Sequence, residues 1–212
     1  MDLAARLDAG LAALQLSLTP QQCRQLLDYL ALLQKWNATY NLTAVRAPED
    51  MLVQHVLDAL AILSPVREST PAARQAGFRL ADVGSGAGLP GIPLAVAVPD
   101  WIITSVEASG KKAAFQRQAA IELGLGNVAV VSARAESLPA GSADAAISRA
   151  FADLPRFVAV AGQLAPVLLA MKGVLPAAEI ASLPAGWRVA ATPPVQVPGL
   201  EAQRHLIVLE KP

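Results

Sequence analysis

From residue 19 onward the chain places apolar side chains at helical spacing. Cys23, Leu26, Leu27, Leu30 and Leu33 recur three and four positions apart, with polar residues between them. Ahead of them, Thr19-Pro20-Gln21-Gln22 supplies an N-cap, a proline at the first helical position and a glutamine at the capping-box position. Pro48-Glu49-Asp50 opens another helix, with Met51, Leu52, Val56, Leu60 and Leu63 as its buried side. After Pro65 the period shortens. Residues 78–83, 101–106, 128–131, 143–148, 167–171, 187–191 and 206–210 form seven short apolar runs of strand length. A helix reaching about Val98 follows the first run, and a helix from Lys111 to Leu123, closed by Gly124, follows the second. The last two runs are expected to pair as neighbours. Strands alternating with helices imply an α/β fold, a parallel sheet wrapped by helices. The expected organisation is a helical extension over residues 1–65 packed on an α/β core over residues 66–212, one compact domain overall.

Composition narrows this picture only modestly. Apolar residues make up 54% of the 212, ample for a sizeable core. Cys23 is the sole cysteine, so no intramolecular disulfide is possible, and its place in an apolar stripe reads as packing. Asp2, Arg6 and Asp8 do not make the basic start and clean apolar run of a signal peptide. The longest apolar stretch, Phe157 to Met171, is interrupted by Gly162, Gln163 and Pro166 and is too short for a bilayer. A soluble, cytoplasmic protein with no membrane contact and no metal site is expected. Seventeen basic and seventeen acidic residues cancel, which argues against a broad basic surface for nucleic acid but leaves room for local patches.

The first strand runs straight into Gly84-Ser85-Gly86-Ala87-Gly88. A strand, a glycine turn and a helix make a niche where free backbone N–H groups and the helix dipole meet a ligand. Two registers compete. Gly86-x-Gly88-x-x-Gly91 fits the dinucleotide fingerprint but starts late, whereas Asp82-Val83-Gly84-Ser85-Gly86 starts where the strand ends and carries a carboxylate. That carboxylate would repel a pyrophosphate, while it suits the ammonium of S-adenosylmethionine. Glu107, closing the second strand, is placed to accept hydrogen bonds from ribose hydroxyls in either reading. Ala135-Glu136, after the third strand, falls where such folds meet an adenine; an exposed loop acid explains Glu136 equally well.

Tyr40-Asn41-Leu42-Thr43, His55-x-x-Asp58, the run from Asp82 to Pro93, Ser148-Arg149-Ala150-Phe151 and Lys172-Gly173 occur here in one order. Together they resemble the RsmG (GidB) family of 16S ribosomal RNA guanine-N7 methyltransferases, and the resemblance extends from Lys35-Trp36-Asn37 to Arg204-His205-Leu206. It implies a Rossmann-like class I methyltransferase, a seven-stranded, mostly parallel sheet with helices on both faces and a reversed last strand. It also implies a cofactor site including Gly84, Leu89, Ala135, Glu136 and Arg149, and methyl transfer to guanine N7 in small-subunit RNA.

With the loop reading added, the expected S-adenosylmethionine contacts are Asp82, Gly84, Gly86, Gly88, Leu89, Glu107, Ala135, Glu136 and Arg149. Asn41, His55 and Arg149 are the candidate catalytic residues. Asn41 also suits a turn, and His55 with Asp58 also suits a local helical pair. Arg149 and Lys172 sit at the strand edge where open α/β sheets bind ligands; Lys172, Arg204 and His205 are candidate RNA contacts by position. The expected partner is 16S rRNA or a small-subunit particle, met by a monomer. Guanine N7 offers a lone pair and carries no proton, so no general base is needed. A nicotinamide-dependent oxidoreductase using the second glycine register, and a noncatalytic RNA-binding module, are the rival readings.

Overall fold

A computed structural model describes residues 2–149 and 151–211. Ala150, in the Ser148–Phe151 motif, lies outside them. The chain opens with α1 (Leu3–Ala13) and α2 (Pro20–Tyr40). Thr19 and Gln22 form the reciprocal capping box, with the Gln22 amide N–H donating to Thr19 Oγ1 and the Thr19 N–H to Gln22 Oε1. The next helical run is not uniform: α3 (Pro48–Met51) passes into a π-helical stretch, Leu52–Leu57, and then α4 (Asp58–Leu60). Helix α5 (Leu63–Ser69) follows. The boundary expected at residue 65 therefore falls in the first turn of a helix, where a proline is tolerated.

The core alternates β1 (Arg79–Val83), α6 (Gly91–Ala97), β2 (Ile102–Val106), α7 (Gly110–Glu122), β3 (Val128–Val131), β4 (Ala145–Arg149), α8 (Leu154–Ala161), β5 (Val167–Lys172), α9 (Ala177–Ala181), β6 (Arg188–Ala191) and β7 (His205–Glu210). All seven expected strands are present. They form one sheet in the order β3-β2-β1-β4-β5-β7-β6. The first five are parallel, and β7 inserts antiparallel between β5 and β6. The expected α/β class, the mostly parallel sheet, the reversed last strand and the pairing of the final two strands all hold.

Period-two alternation then sorts the core. In β1, Leu80 joins the buried cluster built with the N-terminal helices and α6, while Ala81 and Val83 join the cluster built with α8 on the opposite face. Asp82 shares the face of Leu80. One continuous cluster runs from Leu7 and Leu11 through Leu33 and Leu60 to Ile103 and Val208, so residues of the helical extension and of the sheet bury a common apolar interior. This packing sets α2 against α6 and α7 and ties Gln54 of the π-helical stretch to Arg149 at the end of β4, close to where β1 and β4, neighbours that lead to opposite sides of the strand order, leave a crevice.

Candidate functional site

The loop after β1 is held from below on three sides. Buried Gln116, on α7, donates from Nε2 to the Gly86 carbonyl (2.7 Å) and to Ser85 Oγ (2.8 Å). Buried Tyr29, on α2, donates its hydroxyl to the Ala87 carbonyl (2.8 Å). Glu107 accepts the Gly86 N–H on Oε2 and the Ser109 N–H on Oε1, both at 2.8 Å. The loop is thus fixed before any ligand arrives, which lowers the cost of ordering it on binding. Burial raises the Tyr29 hydroxyl far above its ordinary pKa, so it stays a donor.

Gly84 and Gly86 form the open part of this loop. Both adopt positive φ, +69° and +60°, which favours glycine, and a Cβ at either would meet nothing closer than 4.0 Å. Any side chain there would project into the space above the loop. Gly88 and Gly91 are buried instead: a Cβ on Gly91 would stand 2.7 Å from Asp82 Oδ2. Gly91 is thus a packing glycine that lets the start of α6 approach β1, and the loop positions left open to a ligand are Gly84 and Gly86.

Asp82 itself corrects an expectation. It was placed to hold a cofactor ammonium, but it is fully buried beneath the loop and accepts the Gly91 N–H at the start of α6 (2.8 Å). The cause is the strand alternation that directs it toward α6. Its other oxygen, Oδ1, has no hydrogen-bond partner among the described residues. Burial pushes its pKa up to about 7, against the opposing pull of the Gly91 N–H and the Arg149 charge. Leu89 is a second correction. Its side chain is in the apolar core, its N–H is committed to the Ser85 carbonyl, and it does not line the cavity above the loop.

Above the loop a cavity of about 200 Å³ is lined by Gly84, Glu107, Ala135 and Glu136, four of the residues expected at the cofactor. Ala108, Arg134, Phe151 and Arg156 complete its walls. Phe151 packs on Phe157 of α8, ring centroids 5.3 Å apart, and its edge lies over Gly84. An open glycine backbone, a carboxylate at the end of β2 and an apolar flank suit a ribose, an adenine and an uncharged thioether or sulfonium chain. This lining fits the ribose, the adenine and the thioether or sulfonium of S-adenosylmethionine, with Arg134 and Arg156 as the two cations at its wall.

A second cavity, of about 330 Å³, is lined by Gln54, His55, Asp58, Arg149, Met171, Lys172, Gly173 and Arg204. Here the structure gathers Arg149, His55, Lys172 and Arg204. Asp58 is 3% exposed and receives two guanidiniums, Arg204 Nε at 3.0 Å on Oδ1 and Arg149 Nη1 at 3.4 Å on Oδ2. Arg149 also donates to the Gln54 carbonyl (2.7 Å). His55 is buried, its Nε2 hydrogen bonded to Thr43 Oγ1 (2.9 Å), and burial with the nearby Arg149 charge pushes its pKa down to about 4. It is a neutral imidazole at neutral pH.

Three expectations fare differently. Asn41 caps α2 in the left-handed conformation (φ 50°), exposed, with Oδ1 accepting from Arg46; it lines neither cavity. Its motif is tied to His55 through Thr43, whose N–H donates to Asn37 Oδ1 (2.9 Å). The Lys172 ammonium is committed to Glu179 (2.9 Å) and the Phe151 carbonyl (3.3 Å), so the free phosphate contact expected of it is not what its geometry offers. His205 donates Nδ1–H to the Gly173 carbonyl (2.7 Å), so that ring nitrogen is already engaged within the chain.

Tyr29, Gln116 and Phe151 are functional-site residues that sequence reasoning missed. Tyr29 lies three residues after Leu26 and one before Leu30, inside the very stripe that predicts the helix. A polar-tipped residue there was a usable signal.

Comparison with known proteins bears on the same geometry. The family model GidB, described as rRNA small subunit methyltransferase G, matches residues 22–207. The ribosomal RNA small subunit methyltransferase G of Azoarcus sp. (strain BH72) is 50% identical over 98% of this chain and 96% of its own. Among solved structures, TrmN from Thermus thermophilus superposes with a TM-score of 0.55 at 19% identity, covering 73% of this chain and 49% of its own. The [4+2]-cyclase SpnF gives 0.57 at 18% identity over 93% and 97%. At such identities these two show a shared fold and no more.

Proposed function

From the premise that this chain belongs to the GidB, rRNA small subunit methyltransferase G, family, we propose how its residues divide the work of that family's reaction. It is an S-adenosylmethionine-dependent enzyme that methylates N7 of a guanine in 16S rRNA. The single observation that carries the assignment of residues is the gathering, at the carboxyl ends of the strands, of one cavity lined by Gly84, Glu107, Ala135 and Glu136 and a second lined by His55, Arg149, Lys172 and Arg204.

When bound, S-adenosylmethionine supplies an activated methyl group on a sulfonium. The chain's own residues supply position. Glu107 sets the loop through the Gly86 N–H and keeps acceptor lone pairs for ribose hydroxyls. Ala135, Glu136 and Phe151 bound the adenine end, and the open backbone of Gly84 and Gly86 lets the ligand approach closely. Holding two reacting groups at ~3–3.5 Å in line is worth ~7–11 kcal/mol of barrier, and no proton has to leave guanine N7. The neutral, buried His55 fits a positioning role beside Arg149, since it holds no proton to give at neutral pH. Residues 1–65 act as the wall of the acceptor side, contributing Gln54, His55 and Asp58. Action as a monomer is part of this proposal. None of the helices among the described residues is long and apolar enough to cross a membrane, and a ribosomal RNA substrate supports action in the cytoplasm.

Transfer of labelled methyl from S-adenosylmethionine to small-subunit particles, to free 16S rRNA and to GTP tests this reading. Incorporation into RNA or particles, with none into GTP, is expected. Efficient methylation of GTP with none of RNA would overturn it, and binding of NAD in preference to S-adenosylmethionine would revive the oxidoreductase.

A further inference from the structure

The arginine-lined cavity has a charge arrangement that the methyl transfer step does not require. Two guanidiniums, from Arg149 at the end of β4 and Arg204 ahead of β7, share the single carboxylate of Asp58. One positive charge is left uncompensated. Lys172 adds none, being neutralised by Glu179, and His55 is neutral. The side chains of Arg149 and Arg204 are 24% and 29% exposed against 4% for Asp58, so the carboxylate lies below and the cations face the opening. A buried carboxylate with two cationic partners is costly to desolvate and rigid once made. Its effect here is to hold two planar donor forks in fixed orientation.

Those forks are not used up internally. Arg204 gives Nε to Asp58 and Nη1 to the Gln203 carbonyl, and its Nη2 meets no acceptor among the described residues. Arg149 gives Nη1 to Gln54 and Asp58, its Nη2 lies 3.5 Å from His55 Nδ1, and its Nε meets no acceptor among the described residues. The widened π-helical turn of residues 52–57, a feature that often marks functional sites, ends directly before Asp58 and presents Gln54, His55 and Asp58 to one opening.

We propose that this cavity is a phosphodiester subsite for the RNA substrate, in which Asp58 is a positioning residue that orients the guanidiniums of Arg149 and Arg204. The proposal rests on the reading of the chain as acting on ribosomal RNA. It accounts for RNA recognition by a protein of zero net charge: a few oriented donors at the site of reaction replace a broad basic surface. It also assigns the contact to Arg204 and away from Lys172. Because Arg149 and Arg204 meet on one carboxylate, occupancy of the subsite by RNA bears on both guanidiniums together.

Steady-state methylation of small-subunit particles across a series of salt concentrations, with S-adenosylhomocysteine affinity measured in parallel, tests it. Arg204→Gln is expected to raise the KM for particles about tenfold and to reduce the slope of log affinity against log salt by about one, with S-adenosylhomocysteine affinity within about twofold of the parent. Asp58→Asn separates orientation from bulk charge. It raises net charge by one, so simple attraction would tighten RNA binding, whereas loss of orientation weakens it. If Asp58→Asn does not fold, Arg204→Lys decides, since it keeps the charge and loses the fork; weakened particle binding supports the subsite and full affinity refutes it. An unchanged salt slope in Arg204→Gln, or tighter RNA binding by Asp58→Asn, would overturn the proposal. So would loss of S-adenosylhomocysteine affinity in Arg204→Gln, which would assign the cavity to a cofactor carboxylate. Absence of RNA methylation by the parent enzyme would instead refute the functional reading on which the subsite rests.

Discussion

Asp82 makes folding stability depend on pH in a direction opposite to that of most carboxylates. Its pKa rises from an ordinary 3.8 to about 7 in the folded protein, chiefly because it is fully buried. The folded state therefore holds its proton more tightly than the unfolded chain does. Below pH 3.8 both states are protonated and the group costs nothing. As pH rises from about 4 to about 7 the unfolded chain releases the proton first, and stability falls; above about 7 the loss is complete and the curve levels. Roughly three pH units at ~1.4 kcal/mol each give a total of about 4 kcal/mol. Asp82→Asn keeps an oxygen for the Gly91 N–H and removes the ionisation. Urea unfolding of parent and variant at a series of pH values, read as the difference between them, cancels the other titrating groups. The difference is expected to move in favour of the asparagine variant by about 4 kcal/mol between pH 4 and pH 8. Parallel curves would refute the reasoning, and would mean that the Gly91 N–H and Arg149 offset the burial of the charge in full.

Gly86→Val puts a side chain into the space above the loop and strains a backbone at φ +60°; S-adenosylhomocysteine, expected to bind in the micromolar range or tighter, should lose most of its affinity by calorimetry, and unchanged affinity in a folded variant would remove this loop from the site. Tyr29→Phe leaves the Ala87 carbonyl without its buried donor, which should cost ~1–3 kcal/mol of stability and weaken cofactor binding; a variant unchanged in both would show that the loop does not depend on α2. Single-turnover methylation at saturating cofactor should be nearly flat from about pH 6 to 9, because the acceptor nitrogen loses no proton, the His55 pKa near 4 lies outside that range, and Asp82, which titrates near 7, is buried beneath the loop and acts on folding stability. A log-linear rise with pH that His55→Gln abolishes would require a general base and a different acceptor atom.

Much of the fold was legible because period and punctuation agreed. Most strand runs were bounded by Gly, Pro or a charged residue, and the capping box of α2 was written in four consecutive letters. What escaped was local. The π-helical turn at residues 52–57 leaves the same apolar pattern as an α-helix, so only the coordinates distinguish them. Helix α8 lies within the long apolar stretch from Phe157 to Met171 and the residues just before it, where the segment was read only for membrane-spanning length. At the site, the glycine loop, Glu107 and Ala135-Glu136 were found from their places at strand ends, which topology alone determines. Asp82 was assigned to the cofactor because its position in the motif suggested proximity, while its direction depended on which face of β1 packs on α6. Lys172 failed for a related reason: a strand-end lysine is accessible only if nothing on the following helix pairs with it, and Glu179 does. Proximity was readable; orientation and pairing were not.

The central claim is that the paired cavities carry a methyl group from S-adenosylmethionine to guanine N7 of small-subunit RNA. Nucleoside mass spectrometry of 16S rRNA, recovered from particles incubated with the enzyme and isotopically labelled S-adenosylmethionine, tests it most directly. The account predicts labelled 7-methylguanosine as the product, dependent on enzyme and lost with Gly86→Val. Label on another atom of guanine, on another base, or on no RNA at all would contradict it.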